Sequence, residues 1–245
     1  MGNLTFDFTG RSVIVTGAAQ GIGRELARRF AADAATTYLV DLDKDLLEQA
    51  ADETGGRPVV ADVSSTADVE RVVETVVAET GRLDIVVNNA GILRDRMVWK
   101  LTDQDWETVL AVHAGGTFRL IRASVPHFRT RSYGRIVNVT SYTGQHGNTG
   151  QANYATAKAG IIGLTKTTAK ELAGFGVTVN AISPNAETRM VASIPDAKKA
   201  EIAAGIPLGR FADPGEMYAA IAFLASEEAG YITGTVLNVD GGLSM

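Results

Sequence analysis

From residue 12 to residue 239, short runs of β-branched and aliphatic residues alternate with longer amphipathic stretches, and the short runs are apolar at every position or nearly so. A strand apolar on both faces has to be covered on both faces. Alternation with helices supplies that cover, which leaves a parallel sheet wrapped by helices as the fitting architecture. SVIVT at 12–16 precedes a stretch at 21–32 in which Ile22, Leu26 and Phe30 recur every four residues, as on one side of a helix. TYLVD at 37–41 and a charged helix at 44–53 repeat the unit, as do PVVAD at 58–62 and a helix at 66–80. LDIVVN at 83–88 precedes a long helical stretch over 102–129, and RIVNVT at 135–140 precedes another over 153–175. TVNAIS at 178–183, a helix opening at Pro214 and a strand at 236–239 complete the pattern. No repeat, linker or low-complexity tract interrupts it. The expectation is one α/β domain over 1–245, a doubly wound parallel sheet with helices on both faces.

A chain of 245 residues can bury a substantial core as one such domain. A formal net charge of −5 disfavours nucleic acid as a partner, since phosphate binding needs a basic field. The absence of cysteine excludes disulfides, thiolate catalysis and Cys-ligated metals. No apolar run reaches membrane-spanning length, and residues 1–10 lack the basic and apolar blocks of a signal peptide. A cytoplasmic protein is expected, and the final LSM is not a peroxisomal address.

The chemistry-bearing residues fall at the carboxyl ends of the expected strands, where open α/β sheets bind ligands. TGAAQGIG at 16–23 joins the first strand to the first helix, and Gly17, Gly21 and Gly23 allow a tight turn that brings a pyrophosphate onto a helix N-terminus. Gln20 and Ile22 lie within that turn. Asp41 ends the second strand and suits the hydroxyls of an adenine ribose. Its carboxylate repels a 2′-phosphate, and the neighbouring Gln20 and Leu42 are neutral, so NAD is expected rather than NADP. Asp62 and Val63 can hold the adenine, although Asp62 reads equally well as a helix cap. NNAG at 88–91 places Asn89, Ala90 and Gly91 after the fourth strand, where the amide side chains fix the loop and Gly91 admits the nicotinamide ribose.

Tyr154 and Lys158 are one helical turn apart, thirteen and seventeen residues after Ser141. A cation about 4 Å from a phenol favours the phenolate by at most ~4 kcal/mol, or about three pKa units, and desolvation subtracts from this. Such a pair can exchange a proton with a substrate oxygen, to which Ser141 donates a hydrogen bond. An isolated YxxxK on a surface helix would carry no such meaning; the glycine turn and the strand-end residues give it one.

In this order TGAAQGIG, Asp41, DV at 62–63, NNAG, Ser141, YATAK at 154–158, Pro184 and DGG at 240–242 resemble the short-chain dehydrogenases/reductases across essentially the whole chain. The resemblance implies a Rossmann fold, hydride exchange at C4 of a nicotinamide, Tyr154 as acid/base, and Lys158 binding the nicotinamide ribose while lowering the tyrosine pKa. It also implies a homotetramer packed through the helices near 102–129 and 153–175. Two departures stand out. His113 occupies the place of an asparagine that helps to hold a proton-relay water, and a neutral imidazole can anchor a water too. At 184–190 the chain reads PNAETRM, where many 3-oxoacyl reductases begin PG; Thr188 is expected at the cofactor.

Both departures, with GILRDR at 91–96, resemble the (3R)-hydroxyacyl-CoA dehydrogenase region of peroxisomal multifunctional β-oxidation enzymes, whereas GNTGQANYATAKAG at 147–160 resembles 3-oxoacyl-[acyl-carrier-protein] reductases. Ser132 and Phe175 stand where carrier-protein enzymes tend to have basic residues, with Arg129 and Arg131 close by. The expected activity is therefore NAD-dependent interconversion of a (3R)-3-hydroxyacyl thioester, on coenzyme A, and its 3-oxoacyl form. Alternatives are a 3-oxoacyl-[acyl-carrier-protein] reductase, a hydroxysteroid or other secondary-alcohol dehydrogenase and, in another class, a non-enzymatic NAD sensor. The substrate cover is expected from about 187–210, where Lys198 and Lys199 suit a CoA phosphate or a solvated helix face.

Overall fold

The computed structural model describes residues 4–187 and 196–245. Among these residues seven strands form one parallel sheet: β1 (Ser12–Thr16), β2 (Thr36–Asp41), β3 (Arg57–Val60), β4 (Ile85–Asn88), β5 (Gly134–Val139), β6 (Val177–Pro184) and β7 (Val236–Val239). Their order is β3-β2-β1-β4-β5-β6-β7. The chain winds outward from β1 through β2 and β3, then returns to β4 on the other side of β1. The direction of winding thus reverses between β1 and β4, and a crevice opens at their carboxyl ends.

Alternate residues of each strand feed opposite layers. Val13 and Val15 of β1 join Leu39, Ile85, Val137 and Ile182 beneath α1 (Gly21–Ala32), α2 (Lys44–Thr54) and α9 (Met217–Ala225). Ile14 joins Tyr38, Val86, Ile136 and Val179 beneath α3 (Thr66–Thr80), α5 (Gly116–Arg131) and α7 (Ala152–Leu172). Each large side chain fully buried in this way contributes about 1.5–3 kcal/mol. This is why the strands are apolar at successive positions rather than at every second one.

Three boundaries differ from the sequence expectation for identifiable reasons. β3 ends at Val60, because the Asp62 backbone N–H leaves the sheet to donate to Asp68 Oδ2 (2.9 Å). The stretch expected as one helix over 102–129 is α4 (Asp103–Leu110), a wide π-turn over Ala111–Gly115, and α5. Such a turn inserts a residue without breaking the helix and leaves no mark in the hydrophobic period. At the C-terminal end, Asp213 caps a single 3₁₀ turn, Pro214–Glu216, before α9 proper begins. Between β5 and α7 lies the short α6 (Tyr142–His146), and α8 (Asp196–Ala204) follows β6. No helix among the described residues is long and apolar enough to cross a membrane.

Candidate active site and cofactor crevice

The glycine turn sits at the reversal point of the sheet. Gly17 has φ +65°, and a Cβ on Gly23 would stand 2.1 Å from the Gly17 carbonyl oxygen, so α1 can begin this close to β1 only without a side chain. Asn89 locks the turn from β4: its Nδ2 donates to the Thr16 and Gly17 carbonyls (3.0 and 3.1 Å), and Thr16 Oγ1 accepts from the Asn89 and Ala90 N–H groups (3.0 and 3.1 Å). The role expected of Asn89 in fixing the loop has this geometry behind it. Thr16 is the reciprocal clamp and was not singled out in the sequence; a hydroxyl at a strand end gives little warning of such a task.

Asp41 stands at the end of β2 with both carboxylate oxygens oriented by backbone: Oδ2 accepts from Ala19 N–H (3.1 Å), and Oδ1 from Leu42 N–H (2.8 Å) and Asp43 N–H (3.3 Å). It is thereby tied to the glycine turn, while the Leu42 side chain is exposed. Asp62, two residues beyond β3, accepts from Ser64 N–H (2.7 Å) in a local turn; it does not cap α3, as one reading of the sequence has it, because Ser65 takes that place and accepts from Asp68 N–H (3.3 Å). Val63 packs on the start of α5, 3.0 Å from where a Gly116 Cβ would sit.

On the other wall of the crevice, Ser141 caps α6, and its Oγ accepts from Thr143 N–H (3.2 Å). Tyr154 and Lys158 share one face of α7. Lys158 is buried, and its Nζ lies 5.6 Å from the Tyr154 ring centroid. Its ammonium donates to the Val139 carbonyl at 2.7 Å. Burial pushes Lys158 down to about 7 and pushes the Tyr154 phenol above its ordinary value; the Ser141 hydroxyl opposes the latter shift and the Asp95 carboxylate adds to it. This corrects the expectation that Lys158 wins over desolvation at Tyr154: here the ammonium is turned to Val139 and desolvation is the larger effect.

His113 occupies the π-turn. Its imidazole is 1 % exposed and stands edge-on to the Tyr154 ring, centroids 5.1 Å apart at 86°. Nε2 lies 3.0 Å from the Ile92 nitrogen and 2.9 Å from the Ile92 oxygen, so either tautomer finds a backbone partner there. Nδ1 is buried and has no protein partner. Burial first, and the Lys158 charge second, push the imidazole down to about 3, which keeps it neutral at any working pH. A Cβ on Gly91 would meet His113 Cε1 at 2.4 Å. The first demand on Gly91 is therefore room for this ring rather than for a ribose. Replacing His113 with Ala is expected to lower kcat about tenfold while the dinucleotide KM moves less than about twofold. Steady-state kinetics check this, and unchanged kcat would reduce His113 to packing.

Thr188 lies outside the described residues, as do residues 191–195 of the expected substrate cover. Lys199 pairs with Glu187, which accounts for one of the two cations considered for a CoA phosphate.

A family model described as enoyl-(acyl carrier protein) reductase matches residues 17–244. The chain is 42% identical over 240 residues to a 3-oxoacyl-[acyl-carrier-protein] reductase FabG of Thermotoga maritima, covering 96% of this chain and 98% of that one. It is 40% identical over 242 residues to the FabG of Escherichia coli K12, covering 98% and 99%. Nodulation protein G of Rhizobium sp. N33 is 40% identical over 243 residues, with the same coverage. The chain belongs to the short-chain dehydrogenase/reductase family. It is accordingly an oxidoreductase that works with a nicotinamide dinucleotide. The bare glycine turn at the start of α1 and the oriented Asp41 carboxylate are the features a pyrophosphate and a ribose require. In this short-chain dehydrogenase/reductase Ser141, Tyr154, Lys158 and His113 stand against one another, and the glycine turn is tied to Asn89 and Asp41 at the strand ends.

Proposed function

We propose that the chain is an NAD(H)-dependent oxidoreductase that interconverts a 3-oxoacyl thioester and its (3R)-3-hydroxyacyl form. The observation that carries this reading is the convergence of Ser141, Tyr154, Lys158 and His113 on one wall of the dinucleotide crevice. The thioester class rests on the names of the relatives, which act on 3-oxoacyl groups held by an acyl carrier protein. Coenzyme A remains the preferred carrier because Ser132 and Phe175 offer no charge to an acidic protein. Arg129, whose guanidinium stacks 4.4 Å over the Phe175 ring, favours the carrier protein as the second reading.

A nicotinamide dinucleotide held by the glycine turn and Asp41 would supply or take up the hydride. Tyr154 exchanges the proton at the C3 oxygen. Ser141 donates to the same oxygen with its O–H, since Thr143 N–H already occupies one of its acceptor positions. Protonated Lys158 favours the phenolate and reaches the nicotinamide ribose. His113 Nδ1 holds a water that continues the proton path. Four copies assemble through α4, α5 and α7, which accounts for the exposed Trp106 and Phe118. The cytoplasm is the site of action.

The Asp41 carboxylate at the end of β2, with the neutral Leu42 beside it, supports NAD over NADP, because it would repel a 2′-phosphate. Asp41→Asn is expected to raise the ratio of kcat/KM with NADP to that with NAD about tenfold or more. A ratio that stays put would show that Asp41 does not read the ribose. Reduction of 3-oxobutyryl groups on CoA and on acyl carrier protein, each with NADH and NADPH, tests the whole assignment. Turnover of neither thioester with either dinucleotide would overturn it in favour of another secondary alcohol or a sensor.

A further inference from the structure

Gln151 sits three residues before Tyr154, at the entry to α7, and its amide joins three segments. Nε2 donates to Asp95 Oδ2 (2.7 Å) in the loop after β4. Oε1 accepts from Asn148 Nδ2 (2.9 Å) and from Thr143 Oγ1 (3.2 Å), and it is the Thr143 N–H that donates to Ser141 Oγ. The Arg96 N–H donates to the Gly150 carbonyl (2.8 Å), so the loop is tied to the same entry by backbone as well. Thr143 is buried, and its side chain has little freedom to find another partner.

We propose that Gln151 is a positioning residue for hydride transfer: through Thr143 it fixes the rotation of the Ser141 turn, so that the serine hydroxyl stays a donor to the substrate oxygen beside Tyr154. The chain of contacts is directional. Asp95 accepts from Gln151, which leaves Oε1 to accept from Thr143, and Thr143 in turn donates its N–H to Ser141. With one acceptor position of Ser141 Oγ taken and the turn held in place, its O–H is left to donate. Preorganised donors of this kind lose their effect when they are free to turn, because the reaction must then spend time or energy aligning them. The inference rests on the proposed role of Ser141 as donor. Nothing in the charge of the site changes when Gln151 is replaced by a neutral residue, so the effect is one of alignment.

A double-mutant cycle with the full-length enzyme and its better thioester substrate tests this. Gln151→Met, which keeps length and packing, is expected to lower kcat about tenfold with dinucleotide KM nearly unchanged, and to cost less than about twofold when Ser141 is already Ala. Thr143→Val, which removes only the hydroxyl link, is expected to behave in the same way and serves if Gln151→Met fails to fold. If Ser141→Ala costs activity and both variants keep their full cost in that background, Gln151 does not act through Ser141 and the inference is wrong. If Ser141→Ala alone costs nothing, the catalytic reading of Ser141 fails and this inference fails with it.

Discussion

Tyr154→Phe is expected to lower kcat about 10³-fold while the dissociation constant for the dinucleotide stays within about threefold. The substitution removes one oxygen and leaves the ring that packs edge-on against His113, so the crevice keeps its shape. What is lost is the hydroxyl that, in the proposed role, carries a proton to or from the substrate oxygen. His113 is no substitute: burial holds it neutral, and its Nε2 is engaged at Ile92. Stopped-flow turnover and dinucleotide fluorescence titration read the two quantities separately. Activity within tenfold of the unaltered enzyme would remove Tyr154 from the acid/base role, whereas loss of both activity and binding would point to a collapsed site.

Lys158→Met is expected to abolish turnover and yet stabilise the protein measured without added cofactor. Lys158 is buried, and its pKa is lowered from 10.5 to about 7. At 1.36 kcal/mol per unit, this means that burying the charged form costs about 5 kcal/mol at neutral pH. Met forfeits the hydrogen bond to the Val139 carbonyl and leaves that oxygen unpaired, which returns about 1–3 kcal/mol of the gain. A net rise of about 2–4 kcal/mol corresponds to a Tm several degrees higher for a chain of this size. The sign of the pH dependence follows from the same shift. Between about pH 7 and 10.5 the unfolded lysine holds a proton that the folded one has lost, so stability contributed by this site rises with pH across that window and is flat below it. In Lys158→Met that rise disappears. Calorimetric melts at several pH values check both statements; a variant less stable than the parent at pH 7 would mean that the ammonium is well solvated in place. The stability forgone at Lys158 is the mark of a group kept for function.

The layers of the fold were legible because the strands are apolar at successive positions, and only a sheet covered on both sides satisfies that. The placing of the glycine turn and NNAG at the carboxyl ends of β1 and β4 was legible as well, whereas the strand order that makes these two neighbours was not. Much of the catalytic wall was legible too, because helical spacing alone puts Tyr154 and Lys158 on one face. The balance of forces there was not. Whether an ammonium one turn away wins over desolvation depends on where Nζ points, and the Val139 carbonyl that claims it is nineteen residues distant in sequence. The π-turn at Ala111–Gly115 was equally hidden, because one extra residue in a helix that stays helical leaves the apolar period intact. With it went the reason that Gly91 is a glycine. Thr16 and Gln151 were passed over because their roles are set by partners on other elements rather than by spacing.

The most direct measurement is absorbance at 340 nm with (3R)- and (3S)-3-hydroxybutyryl-CoA, each offered NAD or NADP. The (3R) thioester with NAD is expected to be turned over well ahead of the other three combinations, and that signal to vanish in Tyr154→Phe. Equal turnover of both isomers, or none of either while NADH still binds tightly, would contradict the assignment.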